Sequence, residues 1–171
     1  MINDELLDLV DDNDNVIGTI YKREAHEKKL THFRGANLFI RNSDGNLWIP
    51  RRTAHQKVCP LGLDFSAGGH VKSGESYEQA IEREAWEELR LDITKIGYNY
   101  LGSGHPKDGY FCFQKIYEIR SEDVPNYDKN DFDKFYWISP QQLITRIDGG
   151  HSAKQDLPKF VKRLYLGDNN V

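Results

Sequence analysis

Apolar residues in this chain follow two rhythms, a strand-like alternation and a helical spacing of three and four, and their changes mark out the elements. Residues 5–22 hold two short apolar runs about a polar turn at 11–15, which predicts a β-hairpin. The charged stretch 23–30 reads as a short helix or loop. Residues 35–40, with ANLFI at their heart, read as a strand. NSDGN at 42–46 supplies turn chemistry, and 47–49 return as the partner, followed by Pro50, Arg51 and Arg52. A short strand is expected at 63–67, leading into a glycine-bearing loop at 68–74. Ser76 and Gln79 make a capping box for a helix ending near Arg90.

Beyond that helix, 96–101 and 110–119 read as two strands, the second rich in aromatics. A polar surface loop is expected at 121–133 and a short strand at 135–138. Ser139 and Pro140 fit the N-cap and first position of a helix that Gly149 and Gly150 close. Leu157, Phe160, Val161, Leu164 and Tyr165 have the spacing of a final amphipathic helix. Mixed strands with few helices predict an α/β or α+β layered domain. A length of 171 residues suits one domain with a substantial core.

The chemistry concentrates at 69–91, GHVKSGESYEQAIEREAWEELRL, which packs six glutamates between Glu75 and Glu88. Glu84, Glu87 and Glu88 are spaced i, i+3 and i+4, so a helix brings them together, where without a cation they repel one another. A solvated acidic face is the plain alternative. At about 100° per residue, however, Glu84 and Glu88 fall inside the arc of Tyr77, Ile81, Ala85 and Leu89, with Glu87 on its edge. Carboxylates on the apolar side need compensation, by arginines or by a metal. Hard oxygen ligands on a rigid element suit Mg²⁺ or Mn²⁺.

These residues carry a family resemblance. Gly69, Glu75, Arg83-Glu84-Ala85, Glu87-Glu88 and Leu91 stand at the spacing of the Nudix box and resemble the Nudix hydrolase superfamily; Arg90 replaces the glycine of the pattern. The resemblance implies the Nudix fold, a mixed sheet sandwiched between helices in a single domain over 1–171. The N-terminal hairpin and its connection would occupy 1–34, the core 35–166 and the box 69–91. It also implies Glu84 and Glu88 as direct metal ligands, Glu87 as a ligand or the general base, and the Gly69 carbonyl as a further ligand. Glu75 and Arg83 would be a supporting pair. Arg90 carries no metal ligand, so its departure touches the helix end, where a left-handed non-glycine residue costs on the order of 1 kcal/mol.

A divalent ion on such a cluster neutralises charge on phosphate oxygens and lowers the pKa of bound water, and a carboxylate can take the proton. The function expected is hydrolysis of a phosphoanhydride in a nucleoside di- or triphosphate, or in a nucleoside diphosphate linked to another moiety X. Arg51 and Arg52 offer charge for a diphosphate, or are surface charge at a strand end. His70 is a candidate substrate contact. Tyr110 is a candidate stacking surface, although aromatics in strands commonly belong to the core.

The stretch 6–93 is also similar to type I isopentenyl-diphosphate isomerases and their hydrolase relatives, through LDLVDDNDNVIG, His26, His32, NLFIRNSDGNLWIPRR and the GGHV around His70. That enzyme requires a cysteine immediately before the Gly-His pair, where this chain has Gly68, and a later glutamate pair that HPKDGYFCFQKIYE lacks. Isomerisation of an allylic diphosphate is thus the alternative reaction, and a catalytically silent binding protein of the same fold a third reading.

Composition narrows the partners. A net charge of −4 supplies no basic field for nucleic acid or anionic membrane. No apolar run approaches the roughly 20 residues of a membrane span, and the acidic MINDELLDLVDD is unlike a signal peptide. Two cysteines, Cys59 and Cys112, make no disulfide framework. The expected setting is the cytoplasm, and the expected partner a small nucleotide or diphosphate. Nothing in the chain speaks to oligomeric state.

Overall fold

A computed structural model describes residues 4–168. The N-terminal hairpin forms as β1 (Leu6–Val10) and β2 (Val16–Tyr21), with Asp11 closing the turn through the backbone N–H groups of Asn13 and Asn15. The charged stretch that follows is the short helix α1 (Lys22–Glu27). The hairpin does not join the main sheet. It clips onto the loop ahead of the glutamate helix, where Asp8 accepts hydrogen bonds from the Ser73 hydroxyl and the Gly74 N–H.

The main sheet centres on β3 (Arg34–Arg41), an almost wholly buried strand. On one edge it runs parallel to β7 (Phe113–Arg120), which pairs in turn with β6 (Asn99–Gly104). Its other edge is shared. The first half pairs with β5 (Ala67–His70), and only its end meets β4 (Leu47–Arg52), which swings away to pair with β8 (Phe132–Ile138). Ser66 fills the split: its hydroxyl accepts from the Ile40 N–H and donates to the Trp48 carbonyl.

Alternate residues of β3 feed two cores. Ala36, Leu38 and Ile40 pack against α2 (Tyr77–Leu89) through Ala80, Ile81, Ala85 and Leu89. Phe39 faces the other way, toward Leu143, Leu157, Phe160 and Val161 of α4 (Pro140–Asp148) and α5 (Leu157–Tyr165). The result is a mixed sheet between helical layers, as expected. Among the described residues no helix is long and apolar enough to cross a membrane.

Several boundaries differ from the sequence reading. Leu63 makes only isolated bridges, and the strand expected at 63–67 instead begins at Ala67 and runs through both glycines to His70. Glycines weaken an isolated strand, but here they permit contact: a Cβ on Gly68 would stand 2.3 Å from Asn37 Oδ1 and 2.8 Å from the Ala36 carbonyl. The strand expected at 96–101 starts later, because Ile93–Ile96 form the one-turn helix α3, ended by Gly97 at φ 84°. Tyr110 and Cys112 lie before β7, and β8 reaches back to Phe132. The capping box at Ser76 and Gln79 is formed, and Arg90 takes the left-handed conformation at φ 56°.

Candidate active site

Helix α2 enters through its capping box and buries its apolar stripe on β3 and β5, which fixes the direction of its carboxylates. Glu84 is 8% exposed, and its carboxylate lies against Gly69 so closely that a Cβ there would be 2.2 Å from Oε1. One turn on, Glu88 Oε2 accepts the Gly68 N–H at 2.9 Å. The glycine pair of β5 therefore does two jobs. It lets the strand pack on β3, and it gives two glutamates room beside the backbone. Glu87 stands at the exposed edge, 3.3 Å from Arg83 Nη1 and 4.0 Å from Lys72 Nζ.

Arg83 ties this corner together. Its Nε and Nη2 grip the two oxygens of Glu75 at 2.8 and 2.9 Å, Nη2 also donates to the His70 carbonyl at 3.0 Å, and Nη1 reaches Glu84 at 2.7 Å. The loop, the strand and the helix thus share one planar guanidinium, which a lysine cannot imitate. Although burial opposes it, the Arg83 grip, with the Lys72 N–H, holds the Glu75 carboxyl below its ordinary range.

The other two carboxyls are pushed the opposite way. Burial raises the Glu84 pKa, only partly offset by Arg83. Burial, with the negative charges of Glu84 and Asp64 added, drives that of Glu88 well above the usual carboxylate range. Two desolvated acids side by side favour either a proton or a cation. Among the described residues no three His, Cys, Asp or Glu side chains already converge as a metal cage, because Arg83 draws Glu84 and Glu87 toward itself. The donors themselves, hard carboxylate oxygens beside an open glycine backbone, with negative charge that Arg83 offsets only in part, fit a hard divalent ion.

These groups line a cavity of about 560 Å³, within the usual range for small-molecule sites. Its floor carries a buried polar chain: Asn37 Nδ2 donates to Gln114 Oε1 at 2.8 Å, and Gln114 Nε2 donates to Asp156 Oδ2, which also accepts the Phe111 N–H. On another wall Arg52 donates to the Val58 carbonyl, Gln56 and buried Asp64. Lys154 lies close to the same Asp64. The hairpin and α1 contribute Glu5, Lys22 and His26.

Of the residues singled out in the sequence, Glu84, Glu87, Glu88, Gly69, His70 and Arg52 come together around this cavity. Glu75 and Arg83 stand behind it as an ion pair. Arg51 does not join them: it points across β4 to Asp133, where it forms a two-pronged pair. Tyr110 is corrected too. It is 3% exposed, stacks on Phe160 at 4.6 Å between centroids and is absent from the cavity wall, so it is a core residue of the α5 side. Lys154, Asp156, Gln114, Asn37 and Asp64 were missed. A signal existed for three of them: Asn37, Asp64 and Gln114 are polar residues inside strongly apolar runs, a pattern that calls for a buried partner.

The histidines do not form one centre. His26 and His70 approach Nε2 to Nε2 at 3.3 Å among Phe33 and Phe111, whereas His32 bonds Asp12 at 2.8 Å and packs on Phe113. Burial, assisted by Lys22, lowers the pKa of His70 well below and that of His26 below the ordinary value. Cys59 is a half-buried residue that also lines this cavity, and burial raises its pKa.

The description "NUDIX domain" fits residues 31–160. An uncharacterized Nudix hydrolase of Nostoc is 46% identical over 94% of this chain and 96% of its own length. A crystal structure of a Deinococcus radiodurans protein superposes with a TM-score of 0.89 at 41% identity, covering 94% of this chain and 99% of the other. An isopentenyl-diphosphate Delta-isomerase of Photorhabdus laumondii is 39% identical, over 52% of this chain and 50% of its own. With the glutamate helix, the glycine strand and the layered sheet in one arrangement, the chain belongs to the Nudix hydrolase family, whose reaction in general is hydrolysis of a pyrophosphate linkage.

Proposed function

We propose that this protein is a Mg²⁺-dependent pyrophosphohydrolase, able to use Mn²⁺, acting on a nucleoside di- or triphosphate or on a nucleoside diphosphate linked to another moiety. The observation that carries this reading is the pair Glu84 and Glu88, desolvated side by side against Gly68 and Gly69 in an open cavity. When bound, the divalent ion supplies charge neutralisation at phosphate oxygens and a more acidic water. Glu84 and Glu88, with the Gly69 carbonyl, hold it; Glu87, the most exposed of the three, serves as a further ligand or accepts the proton of the attacking water. Arg83 and Glu75 keep the helix and loop from shifting while this occurs. His70, its ring kept neutral by burial, and Arg52 contact the substrate. Both cysteines are free, in keeping with a reducing cytoplasmic setting.

Isomerisation of isopentenyl diphosphate is the competing reaction. Gly68 occupies the position where that chemistry needs a thiol, Cys59 lines the cavity but lies ten residues before Gly69 in the chain, and His32 bonds Asp12 rather than joining His26 and His70. A panel of nucleoside phosphates, sugar nucleotides and isopentenyl diphosphate, run with Mg²⁺ and then with EDTA, tests the reading. Metal-dependent release of phosphate or pyrophosphate supports it. Isomer formation without release contradicts it, and silence across the panel by a folded protein points to a binding role.

A further inference from the structure

Beside a divalent ion on the carboxylates, a diphosphate carries further negative charge that basic side chains with unused donors can meet. Three lysine or arginine side chains line the cavity among the described residues. Arg52 is largely committed: each of its three nitrogens already donates once, to the Val58 carbonyl, Asp64 and Gln56, which leaves two of its five N–H groups for a substrate. Lys22 donates to Glu5 at 2.7 Å. Lys154 differs. Its ammonium stands 3.6 Å from Asp64 Oδ2, beyond a hydrogen bond, and Asp64 already accepts from Arg52 and from the Phe65 N–H. An ammonium has three donors. Those of Lys154 make no hydrogen bond among the described residues, and the side chain, 32% exposed, lines the cavity.

The backbone beneath it is held as firmly as a strand. Ala153 bridges Leu63 in parallel, the Leu63 N–H donates to the Ser152 carbonyl, and the Lys154 N–H donates to the Leu63 carbonyl at 2.8 Å. The charge is therefore anchored rather than carried on a loose loop. It is also near the proposed reaction centre, since it acts favourably on the Glu88 carboxylate and against protonation of His70.

We propose that Lys154 is a phosphate-binding residue of this cavity, donating to non-bridging oxygens of the substrate's diphosphate. The inference rests on the hydrolase reading only in taking the ligand to be a diphosphate. The competing role is purely structural, a second counter-charge for buried Asp64.

Calorimetric binding of inorganic pyrophosphate and of inorganic phosphate, both with Mg²⁺, to wild type, Lys154→Met and Lys154→Arg separates these roles. Loss of a charge-assisted contact should weaken pyrophosphate binding about 10- to 100-fold in Lys154→Met, with a smaller effect on phosphate, and Lys154→Arg should recover most of it. The melting temperature of both variants should stay close to wild type. Three results overturn the proposal: wild type that does not bind pyrophosphate, Lys154→Met that binds it unchanged, or a lowered melting temperature with equal losses for both anions. Binding as expected in a protein that hydrolyses no nucleotide would leave Lys154 in place and remove the hydrolase reading instead.

Discussion

Gly69 and Glu84 are in such close apposition that the smallest side chain on the first would collide with the carboxylate of the second, Cβ to Oε1 at 2.2 Å. Gly69→Ala should therefore displace Glu84 without removing any functional group. A misplacement of about 1 Å at a reacting centre can cost on the order of 100-fold in rate. We expect a loss of that size in kcat/KM together with weaker Mg²⁺ binding, measured by steady-state kinetics and metal titration. An alanine variant with unchanged kinetics would show that the carboxylate has another place to go.

The two-pronged grip of Arg83 on Glu75 makes a second, separable prediction. Glu75→Gln keeps the shape but loses the charge-assisted bonds, which are largely shielded from water. It should lower stability by about 1–2 kcal/mol. Arg83→Lys should do at least as much harm, because one ammonium cannot hold Glu75, Glu84 and the His70 carbonyl together. Urea unfolding of each variant checks the first effect. Kinetics of Arg83→Lys check whether the grip on Glu84 matters to turnover.

Acid should destabilise the protein through His26 and His70. Both have folded-state pKa values depressed by burial below the ordinary 6.5, so the unfolded chain takes up protons first. Their contribution is complete above about pH 6.5 and is lost as pH falls toward the folded values. Glu84 and Glu88, whose carboxyls burial raises, act in the opposite sense, so the histidine contribution is read as a difference. From pH 7.5 to 5 the wild type should lose unfolding free energy relative to His70→Asn, which cannot charge. An identical slope in the variant would remove His70 from the explanation.

Tyr110→Phe tests whether Tyr110 is a core residue packed on Phe160. The hydroxyl is buried without a hydrogen-bond partner among the described residues, and the ring packs on Phe160. Removing it should leave turnover within about twofold and stability equal or raised by up to about 1 kcal/mol. Arg51→Ala should likewise leave turnover nearly unchanged, since its partner is Asp133 on the far side of β4. A large rise in KM in either variant would mean that substrate reaches beyond the cavity described above.

How much was legible in the chain follows from how local each signal is. The capping box, the left-handed Arg90 and the burial of Glu84 among Ala80, Ile81 and Ala85 all follow from spacing within one helix. Strand β3 was legible as a short, nearly continuous apolar run because both of its faces are buried. Strand β5 was not, because Gly68 and Gly69 are disfavoured in strands when read alone, and their reason lies in Asn37 and Glu84, far off in sequence. Lys154 and Asp156 come from the segment before the last helix, whose position depends on the bridge to Leu63. Tyr110 read as a strand aromatic and a possible stacking surface; which side of the sheet covers it depends on α5. The candidate metal-binding carboxylates belong to a compact motif, whereas the cavity beside them is assembled from stretches as far apart as Glu5 and Asp156.

The central claim is that water attacks a phosphoanhydride at the Glu84 and Glu88 corner with the help of a divalent ion. The most direct test is turnover of the nucleotide panel in water enriched in oxygen-18, comparing wild type with Glu88→Gln, with Mg²⁺ and with EDTA. We expect labelled oxygen in a phosphate-bearing product of wild type with Mg²⁺, and loss of at least about 100-fold with EDTA or in Glu88→Gln. Release that persists in EDTA and in Glu88→Gln, or conversion of isopentenyl diphosphate with no label in phosphate, would contradict the claim.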